Sequence, residues 1–168
     1  MTSIFTKNLV TLDPGKREFG MAFFVDGELC SAFGLEAIEG DLCPVSITAG
    51  RKAAATARLH PQHHEDILYV AEGMETRKNK RSAHDNLMRL SRMTGAAVAL
   101  HQGPIQVVSP RRWTSRLSKP EHQNRTLAHL TDKEKEAFDK AVEQKEGDTR
   151  SEIIDAIGIG LYILGRTR

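Results

Sequence analysis

NLVTLDPG, residues 8–15, is the stretch on which the reading of this chain turns. Its apolar run reads as a strand over 8–13 that closes on an acid, Asp13, and Pro14-Gly15 then turns the chain back. FGMAFFV (19–25) follows as a second strand across the PGKRE turn. Asp26-Gly27 is a strong hairpin signal into a third strand at 28–35, so three antiparallel strands come first. The motif of an apolar run ending at an acid recurs in DILYVAEG (66–73), a fourth strand that closes on Glu72. Two more acids, Glu152 and Asp155, open the final helix in SEIIDAIG (151–158), and a spacing of three puts them on one helix face.

The segments between these acids complete a mixed α/β pattern. Residues 37–50 form a connector, and alanine-rich RKAAATARL (51–59) is a helix stopped by Pro61. Ser82 to about His101 reads as a long helix, with Leu87, Leu90, Met93, Ala97 and Leu100 on one face and Gly95 allowing close packing. IQVVS (105–109) is a short fifth strand, and Ser109-Pro110 opens a helix through Arg116. Thr131 and Glu134 form a capping-box pattern before an acidic helix running to about Lys145. The last helix spans roughly 150–165, with Ile154, Ile157, Leu161 and Leu164 as its buried stripe. The expectation is a five-stranded mixed sheet, three antiparallel strands then two parallel, flanked by helices.

A chain of 168 residues suits one domain, 1–168, with a real core. Hydrophobic content of 39% and charged content of 27% are ordinary for a globular protein. No apolar run approaches a membrane span and no signal peptide opens the chain, so the reading is cytoplasmic, with no membrane partner. Cys30 and Cys43 match no zinc motif and read as reduced, Cys30 as a small core residue among apolar neighbours.

The net charge of +2 hides a sharp asymmetry. From Arg77 to Arg125 there are eleven basic residues against two acids, Asp85 and Glu121. From Thr131 to Asp148 there are seven acids against four lysines. An isolated charge run is usually a solvated face. One sign held over 49 residues, beside a carboxylate cluster, fits a protein that grips phosphates while holding cations. Arg77, Lys78, Lys80, Arg81, Arg111, Arg112, Arg116 and Lys119 are the candidate DNA contacts.

The element order is that of the ribonuclease H-like fold, and five segments carry a closer likeness. LDPGKREFGMAFF (12–24) resembles the opening of RuvC-type Holliday junction resolvases, and YVAEG (69–73) their fourth strand with its catalytic Glu. NLMRLSRMTGAAVAL (86–100) is similar to the helix after that strand, VVSPRRW (107–113) to the fifth strand and the motif after it, and EIIDAIGIGLYI (152–163) to the closing helix. The resemblance spans nearly the whole chain in order. Whether it is to a bacterial or a phage-type member, the residues leave open. It implies a homodimeric endodeoxyribonuclease, paired through the helix at 82–101, that resolves Holliday junctions and related branched DNA in recombination and repair; whether forks and flaps are among its substrates, the residues leave open. The chain departs from the family twice. Thr114 stands where a lysine is common, so charge neutralisation must come from Arg112, Arg116 or Lys119; and Glu75 stands near the place of a junction-entering aromatic.

Hydrolysing a phosphodiester requires an activated water and a stabilised 3′ oxygen, which two Mg²⁺ or Mn²⁺ ions on hard oxygen ligands supply. Asp13, Glu72, Glu152 and Asp155 are the candidate catalytic residues and metal ligands. Each has a plainer explanation: Asp13 as a turn residue, Glu72 as a strand-end charge, Glu152 as capping-box partner of Thr149. Asp155 is the exception, because an unpartnered carboxylate in an apolar helix is costly. His60, His63 and His64 lack a fourth ligand and read as a surface loop, Trp113 as core support, and Met74 and Met93 as packing. Three rivals remain: an actin-like ATPase, which needs two lobes; a ribosomal RNA-processing relative of RuvC; and a catalytically silent branched-DNA binder, which would not need four acids.

Overall fold

The computed structural model of the protein describes residues 8–14, 18–36, 67–73, 105–143 and 149–167. Outside them lie the connector at 37–50, the helices expected at 51–59 and 82–101 and with them the dimer element, the histidines at 60, 63 and 64, Cys43, Met74, Glu75, Met93, and four candidate DNA contacts, Arg77, Lys78, Lys80 and Arg81.

Five strands form one sheet in the order β3-β2-β1-β4-β5: β1 (Asn8–Pro14), β2 (Glu18–Val25), β3 (Glu28–Glu36), β4 (Ile67–Glu72) and β5 (Ile105–Val108). β1 pairs antiparallel with β2 and β2 with β3, while β4 runs parallel to both β1 and β5. The expected mixed sheet is therefore present. β1 is buried along its whole length, as a central strand covered on both faces must be. The hairpin turn lies where Asp-Gly places it, with Asp26 and Gly27 both in the left-handed region (φ 53° and 83°).

Strand parity separates two cores. Val10, Leu12, Phe19, Met21, Phe23, Leu35, Tyr69 and Ala71 pack on one face. Leu9, Ala22, Phe24, Leu29 and Ala32 pack on the other, against α3 (Asp132–Glu143) and α4 (Arg150–Ile163). Leu29 and Ala32 share that face although strict alternation would oppose them. A register shift between Phe23 and Phe24 explains it: Phe23 pairs with Ser31 but Phe24 pairs with Leu29, which leaves Cys30 as the extra residue of a bulge. Cys30 is consequently exposed, contrary to its apolar surroundings in sequence.

Among the described residues two shorter helices precede α3. α1 (Pro110–Trp113) ends well before Arg116, because Ser115 and Arg116 both adopt left-handed backbone (φ 56° and 64°) that no helix continues. Ser109 makes no side-chain cap. α2 (Lys119–Ala128) opens with a capping box between Ser118 and Glu121 and has Pro120 in its first turn.

The Thr131–Glu134 box is made: the Thr131 amide donates to Glu134 Oε2 at 2.8 Å and Thr131 Oγ1 accepts the Glu134 amide at 3.3 Å. Glu134 also accepts the Leu29 amide (2.9 Å) and a bidentate pair from Arg166 (2.6 and 2.7 Å). Arg166 is delivered there by a helix stop: Gly165 takes φ 75°, and the amides of Gly165 and Arg166 return to the carbonyls of Tyr162 and Leu161. The final helix thus ends at Ile163, short of 165. Burial raises the Glu134 carboxyl, but Arg166 and the two amides outweigh it and hold its pKa down at about 2.

α4 lies across β1, β2 and β3 and is buried from Ile153 through Leu161. Gly20 of β2 pairs with Asp13 on one side and Gly34 on the other, so two adjacent strands present a bare patch. A Cβ at Gly20 would overlap the Glu152 carbonyl, and one at Gly34 would overlap the Thr149 hydroxyl. The start of α4 rests on this patch, beside Asp13. Thr11 Oγ1 fastens the helix further along by donating to the Ala156 carbonyl at 2.6 Å. Among the described residues no helix is long and apolar enough to cross a membrane.

Candidate active site

Parity brings the first two acids together. β1 and β4 are parallel, with Leu9 opposite Leu68 and Thr11 opposite Val70; two residues on, Asp13 and Glu72 reach the same strand ends on the face that α4 covers. They lie close enough for each carboxyl to act on the ionisation of the other. Glu152 and Asp155 come to the same place from the first turns of α4, seated on the glycine patch. Three elements distant in sequence therefore deliver four carboxylates to one end of the sheet.

The surroundings are electrostatically severe. Asp13 is 7% exposed, and burial first, then the charges of Glu72, Asp155 and Glu152, push its carboxyl well above the ordinary range. Burial likewise raises Glu72, against the indole bond from Trp113 and the neighbouring Asp13. Lys119, at the start of α2, answers part of this charge: its Nζ lies 3.3 Å from Asp155 Oδ2 and 3.6 Å from Glu152 Oε1. Burial lowers the ammonium, but Asp155 and Glu152 prevail and hold it above its usual value. Among the described residues, no three His, Cys, Asp or Glu side chains converge in a metal-ligating arrangement. Asp13 lies beside Glu72, and Lys119 bridges Glu152 and Asp155.

The plainer reading of Glu152 is not realised. Thr149 caps α4 by position only, and among the described residues its hydroxyl has no partner and Glu152 Oε2 is buried without one. Asp155 is not bare either: its Oδ1 accepts Gln123 Nε2 and bonds His122 Nε2, both at 2.9 Å. Glu72 Oε1 accepts the Trp113 indole N–H at 2.9 Å. Sequence reasoning missed His122 and Gln123 because α2, which carries them, went unseen; Trp113 was read as support, which understates an indole that holds a site carboxylate.

Of the candidate DNA contacts, Arg111, Arg112 and Arg116 lie exposed on α1 and the turn after it, and Lys119 sits at the carboxylates with half its side chain exposed. Arg125 turns inward, donating from Nη2 to the Trp113 carbonyl at 2.9 Å.

No family model matches the chain, and no curated protein does. Among solved structures it is similar to a Thermus thermophilus RuvC structure, at 15% identity and a TM-score of 0.56 over 95% of each chain. It is also similar to T. thermophilus RuvC in complex with Holliday junction substrate, at 14% identity and a TM-score of 0.50 over 96% of this chain and 98% of that one. At such identities the likeness speaks for architecture, and with the strand order and pairing described above it shows that the chain adopts the ribonuclease H-like fold as RuvC has it.

Proposed function

We propose that the protein is a metal-dependent endonuclease that resolves Holliday junctions and related branched DNA by paired phosphodiester hydrolysis. The gathering of Asp13, Glu72, Glu152 and Asp155 at one sheet end, costly to a protein that merely binds DNA, is the observation that carries this reading. The chemistry of the donor set fits a hard divalent cation: four carboxylates, with Glu152 Oε2 buried and, among the described residues, unpartnered. Asp13, Glu72, Glu152 and Asp155 would hold Mg²⁺ or Mn²⁺, two ions per site, which supply an activated water and stabilisation of the departing 3′ oxygen.

The chain's own groups do the rest. Lys119 keeps the negative cluster together, and its exposed half lies where a backbone phosphate would arrive. Arg111, Arg112 and Arg116 neutralise neighbouring phosphates and orient the strand. Paired cuts on opposed strands need two sites in fixed relation, so the working form is a homodimer of single-domain chains. The test is cleavage of a synthetic four-way junction against matched duplex, with Mg²⁺ and with chelator. Metal-dependent nicks on opposed strands near the branch are expected. Cleavage of structured RNA alone would replace this reading with RNA processing, and junction binding without any cleavage would replace it with a silent binder.

A further inference from the structure

Trp113 and His122 stand behind the acidic cluster, and both are buried, at 3% and 5% exposure. Their rings meet edge to face, 4.8 Å between centroids and 78° between planes. Each ring carries one N–H-capable edge directed at a different acid: indole Nε1 to Glu72 Oε1 and imidazole Nε2 to Asp155 Oδ1, both at 2.9 Å. Among the described residues His122 Nδ1 has no partner, so the only hydrogen bond of a buried imidazole goes to Asp155. Simple packing does not account for two polar edges spent on two site carboxylates.

The backbone around the pair is fastened as well. Arg125 Nη2 donates to the Trp113 carbonyl at 2.9 Å, and Thr126 Oγ1 to the His122 carbonyl at 2.9 Å. Gly158, nearly one turn beyond Asp155 on α4, lets the indole approach: a Cβ there would lie 2.8 Å from Thr126 Oγ1 and 3.0 Å from Trp113 Cζ3. Glu72 belongs to β4 and Asp155 to α4, elements with little direct contact. The Glu72–Trp113–His122–Asp155 chain spans the gap between them.

We propose that Trp113 and His122 are a linked pair of positioning residues that ties back one oxygen of Glu72 and one of Asp155, fixing the separation of the two carboxylates and leaving the other oxygen of each to serve the site. The proposal deepens the metal-dependent reading above and rests on it. Outer groups that orient ligating carboxylates commonly govern metal affinity as much as rate.

The test uses the full chain with Mn²⁺ alone as probe, measured by isothermal titration calorimetry without DNA, with melting temperature, junction affinity and cleavage followed in parallel. Trp113→Phe and His122→Leu are each expected to weaken Mn²⁺ binding by roughly 10–100-fold and to lower kcat at an unchanged KM. His122→Gln, which keeps a nitrogen donor within reach of Asp155, is expected to restore most of the loss. The double variant is expected to lose no more than the worse single variant, because the two act as one link. Trp113 is the chain's single tryptophan, so its indole N–H gives one assignable resonance, which Glu72→Gln and His122→Leu are each expected to shift without any metal. Unchanged Mn²⁺ affinity in Trp113→Phe and His122→Leu, with binding abolished in Asp13→Asn, overturns the pair and leaves the metal reading standing. Losses that multiply in the double variant overturn the link. A parent that binds no Mn²⁺ overturns both readings. Should either substitution unfold the chain, the indole resonance decides, and its indifference to Glu72→Gln overturns the proposal.

Discussion

Gly20→Ala is the sharpest test of how the acids are brought together. The added methyl would meet the Glu152 carbonyl head-on and come within 3.1 Å of the Ile153 amide nitrogen, both of them backbone atoms that cannot rotate aside. Sheet and helix must therefore separate by about 1 Å, an overpacking that costs about 1–3 kcal/mol. For a chain of this length the loss should lower Tm by roughly 2–12 °C. The functional effect should be larger, because the same displacement carries Glu152 and Asp155 away from Asp13, and a misplacement of about 1 Å can cost about 10²-fold in rate. Thermal unfolding by circular dichroism and single-turnover junction cleavage at saturating protein measure the two effects. Gly27→Ala is the control: its left-handed φ of 83° makes alanine strained in a turn remote from the acids, so it should lose stability and keep its rate. If Gly20→Ala melts with the parent, or its rate falls no further than that of Gly27→Ala, the glycine patch does not set the position of α4.

Asp13→Asn should lower cleavage by roughly 10³-fold or more while junction binding survives. In chelator it should also raise Tm, since it removes a charge that burial and three neighbouring acids disfavour; parent-like cleavage would sink the proposed role of Asp13. Glu134 gives a pH dependence of known sign. Its folded pKa of about 2 lies below its ordinary value near 4.5, so its contribution, about 3 kcal/mol by linkage, is complete above about pH 5 and drains away as pH falls toward 2. Glu134→Gln should lose that stability at neutral pH and flatten the acid limb of a stability–pH curve; an unchanged limb would contradict the assignment. Arg112→Ala and Arg116→Ala should each reduce the slope of log affinity against log salt by about one, whereas Lys119→Ala should cut cleavage at saturating DNA more than it changes the slope. Parent slopes and rates in all three would mark this segment as a solvated face.

Where the sequence was legible, one kind of force acted alone. Strands 8–14 and 67–72 announce themselves because burial on both faces demands unbroken apolar runs, and an acid at the end of such a run stands out. The Asp26-Gly27 turn and the Thr131–Glu134 box are local chemistry and appear where local chemistry places them. Where forces compete, reading fails. α2 has no apolar stripe, and its buried side chains are polar, His122 bonded to Asp155 and Thr126 to the His122 carbonyl, so the periodicity that betrays helices is absent. The Ser118–Glu121 box with Pro120 was the signal that could have revealed it. Cys30 has the composition of a core position, but a bulge, which needs no special residue, turns it outward. Thr149 and Glu152 have capping-box spacing, yet the carboxylate of Glu152 goes to Lys119 instead. The four acids could be named individually from sequence; the hydrogen bonds from Trp113, His122 and Gln123 that hold Glu72 and Asp155 could not, because those contacts link residues 32 to 41 positions apart.

The helix that covers β1, β2 and β3 has a further consequence, for synthesis. Thr11 and the carbonyl it holds on α4 are separated by 145 residues, and at translation rates of about 5–20 residues per second the gap lasts roughly 7–30 seconds. Throughout that time the first hairpins to emerge can pair, but among the described residues Leu9, Ala22 and Phe24 wait for Ile153, Ile154 and Ile157 of α4 to complete their core, and Leu29 waits for α3. The nascent chain thus exposes the part of the sheet face which α4 later covers to other ribosomes' products and to chaperones, and a fragment released just before residue 150 would keep α3 but never gain the Ile153, Ile154 and Ile157 cover.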